Sequence, residues 1–117
     1  MHDWNGYRAQ VIAGVGNLAK LTADTVRGYT TLSGAGAKTG KLDAKTRELI
    51  SLAVAVTLRC DGCITVHTHA ARKLGVTPEE LAEALGVAVA MNAGAAIIYS
   101  TRTMDAYQTL EEAEASA

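Results

Sequence analysis

Residues 59–70 read RCDGCITVHTHA, with Cys60 and Cys63 separated by two residues and His67 four beyond the second cysteine. In a helix these three fall at i, i+3 and i+7 and share one face, so sulfur can meet sulfur and imidazole. The thiolate is the reactive form of cysteine, and a helix N-terminus or a nearby basic imidazole lowers a thiol pKa. Arg59 adds to that effect and Asp61 opposes it.

Glu48 precedes Cys60 by twelve residues. In one continuous helix that is ~18 Å, too far for contact, so Glu48 matters only if the chain turns near residues 59–62. With such a turn the next helix runs back alongside, and Glu48 can orient and charge-support His67. Taken singly, Glu48 reads as a solvated helix charge and His67 as a packing residue. His69 lies roughly 200° around the helix from His67 and faces elsewhere.

Three chemistries fit these residues. Cys60, Cys63, His67 and His69 form a Cys₂His₂ set on paper, but zinc sites draw their second ligand pair from a separate element, and the two histidines diverge. A structural disulfide between residues so close closes too small a loop to stabilise much. A redox dithiol uses the imidazole and the carboxylate as well. Two nucleotide-like motifs are weaker. GVGNLA at 14–19 lacks the strand and downstream acidic residue of a dinucleotide site. AGAKTGKL at 35–42 has Ala35 for the first glycine of a phosphate loop and Leu42 for its magnesium-binding hydroxyl.

The elements that must position the dithiol read as helices joined by short turns. Val11, Ile12, Val15, Leu18 and Leu21 form a helical stripe over 7–22, and a second helix is expected over 23–39, fraying through the glycines at 34, 36 and 40. Asp43 caps DAKTRELISLAVAVTLR, whose latter part is apolar on nearly all sides, as in a helix central to a bundle. After a break near Asp61 and Gly62 another helix runs to Gly75, a C-terminal cap. Thr77, Pro78 and Glu80 mark a capping box. Asn92 and Gly94 are expected to end that helix, with a last one following over AAIIYSTRTMDAYQTL. No alternating stretch bounded by hairpin turns appears, so the fold class is all-α, about five to six helices.

Composition sets the class. At 117 residues with net charge −1, the chain suits one domain over 1–117, with no single-sign run to mark a nucleic-acid or membrane-surface partner. It has no Phe and an apolar content of 49%, so its interior is built from small aliphatic residues. These bury little area each, and self-association is expected to complete the core. The N-terminus lacks the pattern of a secretory signal and no uninterrupted apolar run approaches ~18 residues, so a soluble cytoplasmic protein is expected, without membrane association. Two cysteines in a reducing compartment signal redox or metal chemistry rather than a disulfide framework.

Glu48, Cys60, Cys63 and His67 at these spacings, with the flanks of residues 41–91, resemble the AhpD-like alkylhydroperoxidases of the carboxymuconolactone decarboxylase superfamily. The resemblance implies an AhpD-like helical bundle assembled as a homo-trimer or homo-hexamer. It implies a thiol–disulfide oxidoreductase that reduces small organic hydroperoxides. Cys63 would attack the peroxide, Cys60 would resolve it by closing a Cys60–Cys63 disulfide, and His67 with Glu48 would relay protons. No bound cofactor or metal is implied. The reductant would be an external dithiol, such as a lipoyl-bearing protein. The alternatives are a lactone decarboxylase, though members with that activity generally lack the cysteine pair, and a non-enzymatic dithiol or metal-binding module.

Overall fold

The computed structural model describes residues 2–117, which form five helices and no strand. The helices are α1 (Trp4–Leu21), α2 (Ala23–Thr39), α3 (Ala44–Leu58), α4 (Asp61–Lys73) and α5 (Pro78–Ser116). The all-α expectation holds, at the lower of the two helix numbers.

Short polar side chains start α1, α3 and α5. Asp3 accepts a hydrogen bond from the Gly6 N–H at 3.2 Å, which moves the start of α1 to Trp4, ahead of the expected residue 7. Asp43 accepts from the Thr46 N–H at 2.7 Å. The capping box at α5 is complete: Glu80 N–H donates to Thr77 Oγ1 at 3.1 Å, and Thr77 N–H donates to Glu80 Oε1 at 2.9 Å. Lys45 reaches the same carboxylate at 3.0 Å and ties the start of α5 to that of α3.

Two glycines end helices where a left-handed residue is needed. Gly40 (φ 66°) closes α2, while Gly34 and Gly36, expected to fray it, lie inside the helix. Gly75 (φ 82°) follows α4 and donates to Arg72 O, and Val76 N–H donates to Ala71 O, each at 3.0 Å. That pair of bonds is a Schellman motif.

The expected break at Asn92 and Gly94 is absent, and α5 runs unbroken through both. Asn92 Nδ2 donates to Ala88 O at 2.7 Å on its own helix and to Thr57 Oγ1 at 2.9 Å on α3. A side chain that often ends helices here fastens one to its neighbour. Because the helix is continuous, α5 is long and apolar enough to cross a membrane by length and composition, a stretch concealed in the sequence by the expected break.

α4 packs most extensively on α3, which also carries the first part of α5, while α1 bridges α2 and α4. The buried apolar side chains are Leu52, Ala55, Ala71 and Ala88. Buried Thr65 donates its hydroxyl to Trp4 O at 3.0 Å and pins α4 to the start of α1. The chain is extended, with a radius of gyration of 20.3 Å where about 13 Å is usual for this length. Its accessible surface is 9033 Å², against roughly 6,100 Å² for a compact 12.2 kDa chain. On the second half of α5 the large apolar side chains of Ile97, Ile98, Tyr99, Met104, Tyr107 and Leu110 are exposed.

Two stability predictions follow from the caps. No atom lies within 4 Å of the position a Gly75 Cβ would take, so Gly75→Ala costs only the backbone strain of a left-handed residue, about 1 kcal/mol. Thr77→Ala removes one side of the capping box and costs about 1 kcal/mol; urea unfolding measures both. The second concerns acid. Hydrogen bonds from Thr46 hold the Asp43 carboxyl below its ordinary 3.8, and the Thr77 N–H, then Lys45, hold Glu80 below 4.5. Folded values below unfolded ones mean that both carboxylates stabilise fully above this range and lose that contribution as pH falls through it. Unfolding free energy plotted against pH should therefore slope less below pH 4.5 in Asp43→Asn and Glu80→Gln than in the parent chain.

Candidate functional site

The turn that the site requires is present and takes two residues. Arg59 ends α3 in the left-handed conformation (φ 54°, ψ 46°), its N–H donating to Val56 O at 3.3 Å. Cys60 N–H donates to Ala55 O at 3.0 Å, which completes a second Schellman motif with arginine where glycine is usual. Cys60 then adopts an extended backbone and caps α4, its Sγ accepting from the Cys63 N–H at 3.2 Å. One residue thus closes one helix and opens the next.

Cys60 and Cys63 are joined as a disulfide, with Cα atoms 5.3 Å apart, inside the usual range for such a bond. Cys60 sits where the unpaired N–H groups and the dipole of α4 point, an arrangement that favours its thiolate after reduction. Cys63 lies one turn before His67 on the same helix face.

α3 and α4 run back along one another, and Glu48 meets His67. His67 Nδ1 donates to Glu48 Oε2 at 2.7 Å, with the side chains 26% and 21% exposed. A carboxylate oxygen only accepts, so the hydrogen is on Nδ1 and Nε2 is free to exchange a proton. The conditional contact between residues 48 and 67 is therefore met.

Two cavities flank His67. One, of about 350 Å³, has Cys60, Cys63 and His67 on one side and the apolar chains of Val11, Ile12 and Val15 on the other. The second, of about 490 Å³, is lined by Glu48, Arg47 and His67 among others. Tyr29 of α2 lines both. Sequence reasoning missed it, because a lone tyrosine in a helix of small residues gives no signal of its distance from residues 60–67. His69 faces a different cavity, as its angular position required. Among the described residues no three His, Cys, Asp or Glu side chains converge as a metal site would need.

Residues 23–106, from α2 well into α5, match the carboxymuconolactone decarboxylase family. The chain belongs to that family. The match extends beyond residues 41–91, on which the resemblance rested. Similar proteins include an uncharacterized protein of Haemophilus influenzae, 47% identical over 105 residues, covering 90% of this chain and 93% of the relative. The uncharacterized protein 4 in cox locus of Paracoccus denitrificans is 35% identical over 92 residues, with 79% and 83% coverage. The crystal structure of an apo carboxymuconolactone decarboxylase family protein from Legionella pneumophila superposes with a TM-score of 0.72 at 36% identity, covering 84% of this chain and 88% of that one. The Cys60–Cys63 pair gives this family member its CxxC motif.

The disulfide borders an open cavity, so it is expected to be reducible without unfolding. Thiol titration of the native chain should find none before, and both cysteines after, treatment with a small dithiol, with the helical circular dichroism unchanged.

Proposed function

We propose that this family member is a thiol–disulfide oxidoreductase that reduces organic hydroperoxides, with Glu48, Cys60, Cys63 and His67 as its catalytic groups. The observation that carries the reading is the 2.7 Å hydrogen bond from His67 to Glu48, one helical turn from Cys63. A structural disulfide has no use for a proton relay. A thiol that must lose a proton before attack, and whose leaving group must gain one, needs it.

In the proposed cycle Nε2 of His67 takes the Cys63 proton. The thiolate attacks one peroxide oxygen, the O–O bond breaks, and the departing alkoxide takes the proton from His67. Alcohol and a Cys63 sulfenic acid result. The Cys60 thiol then attacks the sulfenic sulfur, water leaves, and the Cys60–Cys63 disulfide forms. The peroxide gains two electrons and the sulfurs lose two. An external dithiol attacks Cys63, displaces the helix-stabilised Cys60 thiolate, and closes its own disulfide as it leaves. The cycle uses no bound cofactor or metal, and a lipoyl-bearing protein is the donor class the resemblance implies. The wall of Val11, Ile12 and Val15 suits the organic part of the peroxide. Lactone decarboxylation gives the cysteine pair no task, and a dithiol sensing module gives Glu48 none.

The exposed apolar half of α5 is proposed to pack against further copies of the chain as a homo-trimer or homo-hexamer, rather than in lipid. Asn92 and its bond to Thr57 place α5 beside α3, and the excess surface is of the size a stable interface covers. A reducing cytoplasm suits a dithiol that must be regenerated. Sedimentation in the absence of detergent should give one oligomeric species; a monomer at low micromolar concentration, or a requirement for detergent, contradicts this.

Turnover of cumene hydroperoxide with a dithiol donor tests the chemistry. Cys60→Ser and Cys63→Ser should each abolish cycling, and Glu48→Gln and His67→Asn should each slow it by about 10²–10⁴-fold at unchanged fold. Parent-like rates in His67→Asn would remove the relay. Continued peroxide consumption by Cys63→Ser would reverse the order of the cysteines.

A further inference from the structure

A third cavity, of about 380 Å³, opens between the start of α1 and the face of α4 turned away from the cysteines. Arg8, Arg72, His69 and Thr68 line it, and Trp4 and Ile64 supply apolar wall. No carboxylate lines it. Among the described residues neither arginine forms a salt bridge, and the one side-chain bond of Arg8 is to the Asn5 carbonyl oxygen at 3.1 Å. Asp61, at the start of α4, is engaged by His2 at 3.1 Å. Burial, then the charges of Arg8 and Lys73, hold the His69 imidazole below its ordinary pKa, in keeping with a local excess of positive charge.

Two arginines lining one concave site without an acidic partner offer fork-shaped donors suited to a carboxylate or phosphate. Trp4 makes the site selective for more than charge. Its ring packs edge-on against His2, with centroids 4.7 Å apart, and His2 stacks on Tyr7 at 5.2 Å, so the indole is held in place. A fixed aromatic wall beside a cationic end fits a ligand with a flat apolar body and an anionic head.

We propose that the Arg8–Arg72–His69 cavity is a binding site for small organic anions, in particular aromatic carboxylates, separate from the dithiol. The anionic head lies between Arg8 and Arg72 with Thr68 as a further donor, and the ring lies against Trp4 and Ile64. This site goes beyond the proposed peroxide chemistry and does not depend on it.

Trp4 is the only tryptophan of the chain and lines this cavity, so its fluorescence reports on it. The test is titration of the intact protein with benzoate, with benzamide as the neutral match in shape and inorganic phosphate as the anion without a ring. Benzoate should quench or shift Trp4 emission saturably, benzamide should not, and phosphate should bind more weakly than benzoate. Arg8→Gln and Arg72→Gln should each weaken benzoate by about tenfold or more, the size of a lost charge-assisted hydrogen bond, while Arg8→Lys loses less. The His69 ring, followed by NMR, should titrate at higher pH with benzoate bound, since the anion offsets Arg8 and Lys73. Equal responses to benzoate and benzamide, affinity unchanged in both glutamine variants, or an unmoved His69 titration overturns the assignment. Phosphate binding as tightly as benzoate overturns the role of the aromatic wall. Dithiol turnover in Arg72→Gln separates the two sites, and is expected at the parent rate.

Discussion

Two residues separate α3 from α4, and the reversal they make is the constraint from which the rest of the site follows. If α3 ran on as a helix, Glu48 and Cys60 would stand ~18 Å apart and His67 farther still. The left-handed Arg59 and the two Schellman bonds fold the chain back, so that residues nineteen apart in sequence meet at 2.7 Å. A non-glycine residue in that conformation costs about 1–2 kcal/mol, offset by the capped carbonyls and by the α3–α4 contact. The same turn leaves Cys60 as the cap of α4, so backbone reversal and placement of a sulfur at a helix N-terminus are one event.

Close contact of α3 with α4 and with α5 depends on what is missing from their faces. Ala55, Ala71 and Ala88 are buried with Leu52, and the chain contains no phenylalanine to hold the helices apart. Small side chains let Glu48 and His67 reach each other across the gap with short arms. They also bury little apolar area, which is why so much aliphatic surface remains open on α5 and why the proposed assembly is the natural complement of this site. Precision at the dithiol and the proposed dependence on neighbouring copies have one compositional cause.

The sequence disclosed what is local. Asp43, the Thr77–Glu80 box and the glycines at 40 and 75 act within four residues of themselves, and each does in the structure what its neighbours require. The contact of Glu48 with His67 was legible only as a condition, because it needed a turn that Arg59 does not announce: arginine carries no preference for the left-handed region, and tertiary packing selected it. Asn92 misled for the converse reason. Its partner Thr57 lies on another helix, and without that partner an Asn followed by Gly94 reads as a stop. Tyr29 and the pairing of Arg8 with Arg72 depend on the placement of α2 and α1, which no spacing in the chain encodes.

α4 therefore lines two cavities at different angles. Cys63 and His67 turn one way; Thr68, His69 and Arg72 turn another, and α1 walls both cavities, with Val11 and Val15 beside the dithiol and Trp4 and Arg8 beside the cationic pocket. A ligand in one pocket can alter the other only if it binds differently to two arrangements of α1 against α4. The buried Thr65 hydroxyl, bound to Trp4 O at 3.0 Å, fixes that spacing at the cationic end. The α1–α4 contact is thereby tied beside the cationic pocket, about two to three turns of α1 before the Val11 and Val15 that wall the dithiol.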